Sequence, residues 1–151
     1  MFTVEVAKLS DIERLIDLLT LLFSQEAEFV PARDIQKIGL QAILEDQRIG
    51  TIFVLKDKEK IIGMVSLLWT ISTALGGRVA FLEDMVVDID WRGRGGGHML
   101  VEYAIAYAKN LTCKRITLLT DTDNLAAHRF YQQFGFQTSV MQPMRLILSD
   151  Q

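Results

Sequence analysis

The 151-residue chain predicts an α+β fold in which a mixed, mostly antiparallel sheet is flanked by about four helices. Three observations carry that prediction. Short apolar runs with period-two alternation recur between turn signals, as strands require. Other segments repeat their apolar residues at helical spacing. The order of these segments is strand, two helices, three strands joined by tight turns, helix, strand, helix, two strands, with no repeat, linker or second domain.

Phe2 to Ala7 reads as the first strand. Ser10-Asp11-Ile12-Glu13 has the capping-box pattern, with Ser10 as the expected N-cap and Glu13 reaching back to it. Ile12, Leu15, Ile16, Leu19, Leu22 and Phe23 then line one helical face. Gln25 to Ala32 is a loop carrying Glu26, Glu28 and Phe29, and a second helix starts near Asp34. Thr51–Lys56, Ile61–Ile71 and Arg78–Asp88 are the three strands, turned by Asp57–Lys60 and by the glycine-bearing segment Ser72–Gly77. A long helix runs to about Asn110, and Arg115–Thr120 is a buried strand. Asn124 caps a short helix that Gly135 ends in the left-handed position. Phe136–Val140 and Met144–Leu148, joined near Pro143, read as the last two strands.

Bulk composition excludes several classes of function. Half the residues are hydrophobic and the formal charge is −3, so no basic stripe exists for a nucleic-acid partner. Leu15–Phe23 is too short and too interrupted to span a bilayer, and Phe2–Val6 alternates like a strand rather than opening like a signal peptide. Cys113 is the only cysteine, which suits a reducing compartment. The expectation is a cytoplasmic protein with neither nucleic-acid nor membrane partner, bound to no metal, with a homodimer left open.

The chain is organised around Phe81–Leu100, FLEDMVVDIDWRGRGGGHML. A strand runs through Arg92, Gly93, Arg94, Gly95, Gly96 and Gly97 directly into a helix that opens with His98 and Met99. The first amides of a helix lack intrahelical acceptors, and its dipole places partial positive charge at the same end. Glycines admit a phosphate to those amides, and Arg92 and Arg94 add full charges. A phosphate-bearing cofactor is therefore expected. A triphosphatase loop would need Gly-Lys-Ser/Thr, whereas Gly97 is followed by His98 and Met99. The dinucleotide fingerprint lacks its third small residue, since counting from Gly93 or Gly95 gives His98 or Leu100. Asp121 nonetheless stands about where such a fold wants a ribose-binding acid, which keeps a nicotinamide-nucleotide module as an alternative.

Arg-x-x-Gly-x-Gly at Arg92, Gly95 and Gly97 resembles the pyrophosphate loop of the GNAT superfamily, the acyl-CoA-dependent N-acyltransferases. Asp121 to Tyr131, ending in Phe134-Gly135-Phe136, is similar to that superfamily's C-terminal acyl-CoA motif. The likeness covers nearly the whole chain and implies a single GNAT-like domain over residues 1–151, with a parallel, splayed strand pair in its sheet. It also implies that acetyl-CoA is the co-substrate, with Arg92 to His98 around its pyrophosphate. The pantetheine arm would lie between the strand ending at Val87 and the strand at Arg115–Thr120, pairing with the backbone of Met85, Val86 and Val87. The same amides would stabilise the oxyanion formed when an amine attacks. Asn124 would also bond the pantetheine arm, and Tyr131 stands where many family members keep a general acid.

Glu83 and Asp84 are adjacent acids in a strand that otherwise reads as core. Successive side chains on a strand face opposite ways, so the two share a pocket only if the strand is bulged or splayed. A lysine-like amine has a pKa of about 10.4, so roughly one molecule in 2,000 is neutral at pH 7. A carboxylate can attract the ammonium and take its proton. The resemblance implies Glu83 as that base; the plain alternative is a salt bridge to Arg78 or a neighbour. Glu83, Asp84, Glu28 and Phe29 are the candidate acceptor-binding residues. Tyr131 alternatively packs on the sheet as a half-buried aromatic. His98 and His128 have no partner at metal-ligand spacing and read as surface or cap residues, Trp91 as packing before the glycine loop, and Trp69 as facing core or cleft.

The expected activity is transfer of the acetyl group from acetyl-CoA to a primary amine of a small molecule or a peptide, by direct attack in a ternary complex. Cys113 lies away from both motifs, so no covalent enzyme intermediate is needed. Two alternatives remain at this point: a transferase for a longer acyl-CoA, and a non-catalytic acyl-CoA sensor or interaction domain.

Overall fold

In the computed structural model, which describes residues 1–25, 30 and 32–149, strand β1 (Phe2–Val6) is one edge of a five-stranded sheet. The chain then forms helices α1 (Ile12–Phe23) and α2 (Arg33–Leu44). It returns as β2 (Gly50–Asp57), β3 (Lys60–Ser72) and β4 (Gly77–Val87). Helix α3 (Gly96–Asn110) and the short β5 (Ile116–Thr117) follow. The sheet order β1-β2-β3-β4-β5 equals chain order; the first three pairings are antiparallel and β4–β5 is parallel. The short polar turn at Asp57–Lys60 and the hairpin from Ser72 to Gly77 impose the antiparallel pairings. At the hairpin the Leu75 amide donates to Ser72 Oγ at 3.1 Å and Gly76 adopts φ 70°.

The chain divides into two compact units, Met1–Leu119 and Thr120–Gln151. In the first, α1 buries Ile12, Leu15, Ile16, Leu18 and Leu19 against Ile52, Val54, Met64 and Val86 of the sheet. Burying each such side chain stabilises by about 1.5–3 kcal/mol. Helix α3 buries Leu100, Val101, Ala104 and Ala108. A Cβ on Gly63 of β3 would stand 3.2 Å from a Leu100 methyl, which shows how closely α3 packs there.

The start of α1 differs from the expected cap. A 3-10 turn at Leu9–Asp11 precedes the helix, and Asp11 Oδ2 accepts from the Lys8 amide at 2.8 Å. That back-bond occurs before Ser10 can cap, and Glu13 is instead drawn towards Arg33 and Lys37 of α2. In the second unit, Asn124 Oδ1 accepts from the Ala127 amide at 3.1 Å, capping α4 (Leu125–Gln132), and Gly135 has φ 99°. The expected strands Phe136–Val140 and Met144–Leu148 form no ladder among the described residues. Val140, Met141, Met144 and Leu148 are each at least 82 % exposed. An alternating apolar run becomes a strand only where another edge pairs with it.

Candidate active site

The site is built on an irregularity in β4. Met64 of β3 pairs with Val86 and Ser66 pairs with Glu83, so Asp84 and Met85 together stand opposite the single residue Val65. This is a β-bulge, and within it Asp84 takes the left-handed conformation, with φ 54°. The bulge doubles Asp84 and Met85 against Val65, so strict alternation does not hold from Glu83 to Val86. Asp84 is half-buried, and burial, reinforced by the neighbouring Glu83 charge, pushes its carboxyl up to about 6. Glu83 is exposed and has no ion pair or hydrogen bond from its side chain among the described residues. The salt bridge to Arg78 does not form; the Arg78 guanidinium instead lies over Trp69, 5.1 Å from the ring centroid.

Beyond the bulge the strand has an open side. Strand β5 meets β4 only at Ala80–Ile116 and Phe81–Thr117, so from Leu82 to Val87 no described strand pairs with that edge. Unpaired amides and carbonyls there are obligatory hydrogen-bonding groups. Met85 is half-buried and Val86 and Val87 are buried, which leaves their backbone rather than their side chains to meet a ligand. Val87 already accepts from Arg92 Nε at 2.9 Å, so Arg92 shapes the loop as well as adding charge to it.

The glycine loop is held from both sides. Asp88 accepts from Arg14 of α1 at 2.6 Å, and the same Arg14 donates through Nε to the Ile61 carbonyl at 2.8 Å. Trp91 donates through Nε1 to Asp57 at 3.2 Å and carries Lys60 over its ring at 4.4 Å. Gly93 and Gly95 adopt φ 76° and 84°, and a Cβ on either would meet nothing within 4 Å. Gly96 is different: its Cβ would stand 2.5 Å from a Leu55 methyl, so this glycine lets α3 seat on β2. The amides of Gly96 and Gly97 begin α3 and find no backbone acceptor among the described residues. Arg94 is exposed, with no carboxylate within ion-pair distance among those residues. His98 Nδ1 lies against Glu102 one turn along the helix.

In the second unit, Tyr131 makes edge contacts with Phe130 and Phe136, at 5.0 and 5.8 Å between centroids. Burial pushes its phenol up to about 12. His128 Nε2 lies 3.0 Å from the Asp121 carbonyl, consistent with the expected cap role. Glu28 and Phe29, expected to line the acceptor side, lie outside the described residues, as does Glu26.

Sequence reasoning missed Arg14 and Ser66. Arg14 reads as an ordinary polar-face residue of α1, and nothing local reveals its partner 74 positions away. Ser66 is 1 % exposed and pairs directly with Glu83; the available signal was one hydroxyl in the apolar run from Ile61 to Leu68. Trp69, stacked on Tyr107 at 6.5 Å, lines a separate shallow cleft of about 290 Å³ with Arg48 and Arg78.

Comparison with known proteins identifies the family. Residues 12–136 match the Acetyltransferase (GNAT) family. The chain is similar to the uncharacterized N-acetyltransferase YhfO of Bacillus subtilis, with 32 % identity over 119 residues, 77 % of this chain and 79 % of that one. It is also 32 % identical over 101 residues to the glucosamine 6-phosphate N-acetyltransferase of Trypanosoma brucei brucei, covering 66 % of each chain. A putative acetyltransferase from Agrobacterium tumefaciens superposes with a TM-score of 0.80 at 28 % identity, over 95 % of this chain and 99 % of the other. The chain belongs to the GNAT acetyltransferase family, and it is an acetyltransferase.

Proposed function

We propose that residues 1–151 act as one domain that moves the acetyl group of acetyl-CoA to a primary amine of a small molecule or peptide, by direct attack in a ternary complex. The observation that carries this reading is the bulge in β4. It lies, with both acids, on the stretch of β4 whose second side no described strand pairs, and that stretch leads into the exposed arginine–glycine start of α3. The residues present fit acetyl-CoA. Amides of Gly96 and Gly97, the Gly95 turn and Arg94 suit a pyrophosphate, and the backbone of Met85 and Val86 suits an amide-bearing arm. Asn124 adds a side-chain contact to that arm.

The thioester of acetyl-CoA supplies an activated acetyl group. The chain's own residues handle the proton and the charge. Asp84, with its carboxyl at about 6, is largely ionised above neutrality, so the carboxylate pair draws in an ammonium. Glu83 takes the proton that the amine must lose before it attacks. Glu28 and Phe29 contribute to the acceptor side. Tyr131, protonated at every ordinary pH because its phenol sits at about 12, donates to the departing thiolate. Bound geometry supplies much of the rate by holding amine and acetyl carbon in attack position.

The test is release of CoA thiol from acetyl-CoA by the purified protein, with diamines, polyamines, amino acids, aminoglycosides and glucosamine 6-phosphate each offered as acceptor. Amine-dependent thiol release supports the reading. Binding of acetyl-CoA with no release across the panel contradicts it and favours an acyl-CoA sensor.

A further inference from the structure

Ser66 lies in the middle of β3, between Ile52 of β2 and Glu83 of β4. It is 1 % exposed, and its Oγ is the buried side-chain polar atom that has no hydrogen-bond partner among the described residues. Leaving a buried hydroxyl unpaired is unfavourable, and alanine or valine would fill the position without that defect. Alternation along β3 puts Ser66 on the same face as Met64, and Met64 and Ile52 pack with α1 and α2 in one apolar cluster. The hydroxyl thus shares its face with an apolar cluster, and the residue directly across the ladder is polar. That residue is Glu83, whose carboxylate is likewise without a partner among the described residues. Directly opposed residues have Cβ atoms about 4.5–5.5 Å apart, within reach of a hydroxyl and a flexible carboxylate.

We propose that Ser66 is the positioning residue for Glu83. Its hydroxyl donates a hydrogen bond to the Glu83 carboxylate in the working conformation, directly or through one water, and holds it over the β4 bulge. The proposal rests on the reading of Glu83 as the base and says how that base is held. In the proton-transfer step the ammonium N–H bond breaks and an O–H bond forms on Glu83, while Ser66 keeps its own proton throughout. The bond favours the ionised carboxylate and fixes one rotamer of a side chain that is otherwise free at the surface. Arg78 of β4 lies over Trp69, and Asp34 of α2 is in no ion pair among the described residues. The basic groups of α1 and α2 are paired away from Glu83: Arg14 with Asp88, Arg33 with Asp17 and Glu13, and Lys37 with Glu13. Asp84, next in β4, is the neighbouring carboxyl, and the Glu83 charge contributes to raising it.

The experiment is carbon-13 NMR titration of the glutamate side-chain carboxyls in the whole protein, with the Glu83 signal assigned by its loss in Glu83→Gln. In Ser66→Ala the Glu83 midpoint moves to higher pH by about half a unit or more, and Ser66→Thr returns it towards wild type. Ser66→Ala stays folded, because alanine fills the buried position without a polar atom. A Glu83 midpoint that stays put in a folded Ser66→Ala protein overturns the proposal. The base reading fails separately. If Glu83→Gln keeps the full rate and pH profile with the best acceptor of the panel, Glu83 is not the base, whatever the titration shows. If Glu83→Gln removes the rate while the midpoint in Ser66→Ala is unmoved, only the role of Ser66 is lost.

Discussion

Replacing Asp84 with asparagine removes a charge that the fold holds at a cost, so the variant gains stability over wild type as pH rises. The folded-state carboxyl is raised from the ordinary 3.8 to about 6, mainly by burial and then by the neighbouring Glu83 charge. At about 1.4 kcal/mol for each tenfold, this corresponds to about 3 kcal/mol of penalty on the ionised form. A raised folded-state pKa contributes stability that is fully present below the unfolded value and lost as pH rises through the folded one. Below pH 3.8 the acid is neutral in both states, and the Asp84→Asn protein would differ from wild type only in backbone preference. By pH 7.5 wild type bears the whole penalty and the variant none. Asparagine accepts the left-handed backbone at least as readily as aspartate, but that advantage is the same at every pH. The quantity to read is therefore the change in the stability gap between acid and neutral pH. Urea denaturation at pH 4 and pH 7.5 should show the gap widening by about 2.4 kcal/mol, or roughly 5–10 °C in Tm for a chain of this size. A gap of constant size across that range would refute the reasoning, because it would mean that Asp84 is as well solvated in the fold as in the unfolded chain.

Other substitutions separate binding, seating and chemistry. Gly95→Val puts a β-branched residue at φ 84° where the backbone should meet pyrophosphate, and should weaken acetyl-CoA binding at least tenfold, about 1.4 kcal/mol, by calorimetry; unchanged affinity in a folded variant would remove the loop from the cofactor site. Gly97→Val should do the same. Gly96→Ala should instead lower Tm, since its methyl group would press on buried Leu55. Tyr131→Phe should lower kcat about 100-fold while leaving acetyl-CoA affinity intact. Because the phenol sits at about 12, wild-type kcat/KM should rise with pH to a plateau with no fall attributable to Tyr131 below about pH 10. Arg14→Met strands part-buried Asp88, and hydrogen exchange should become faster from Asp88 through Gly96 than in wild type.

Much of the frame was legible because it is local. The helical spacing of Ile12, Leu15, Ile16 and Leu19, the polar turn at Asp57–Lys60 and the glycine run before α3 are written in adjacent residues. The carboxylate site was half legible. Glu83 next to Asp84 in an apolar strand signalled a departure from core, but the bulge is a count against β3, and only the ladder between Ser66 and Val86 reveals it. The Ser66–Glu83 juxtaposition and the Arg14–Asp88 pair were hidden for the same reason, since each joins residues from separate elements. Ser10 shows the converse error: a good capping pattern was preempted by Asp11 bonding back to Lys8. The residues from Phe136 to Leu148 alternate like strands, yet alternation cannot say whether a partner edge is present.

The acceptor's charge follows from the same carboxylates, which should favour cationic amines over amines that carry an acid or a phosphate. The trypanosome relative acts on a phosphorylated amine, so family likeness alone leaves both kinds of acceptor in play. The most direct measurement is a competition at fixed ionic strength: acetyl-CoA, a small diamine and glucosamine 6-phosphate in one vessel, with products read by mass spectrometry for wild type and Glu83→Gln. The account predicts that wild type acetylates the diamine in preference to the sugar phosphate, and that Glu83→Gln forms far less product although it binds acetyl-CoA normally. Equal product from folded Glu83→Gln would contradict the assignment of the base, and preference for the sugar phosphate would contradict the negative acceptor cleft.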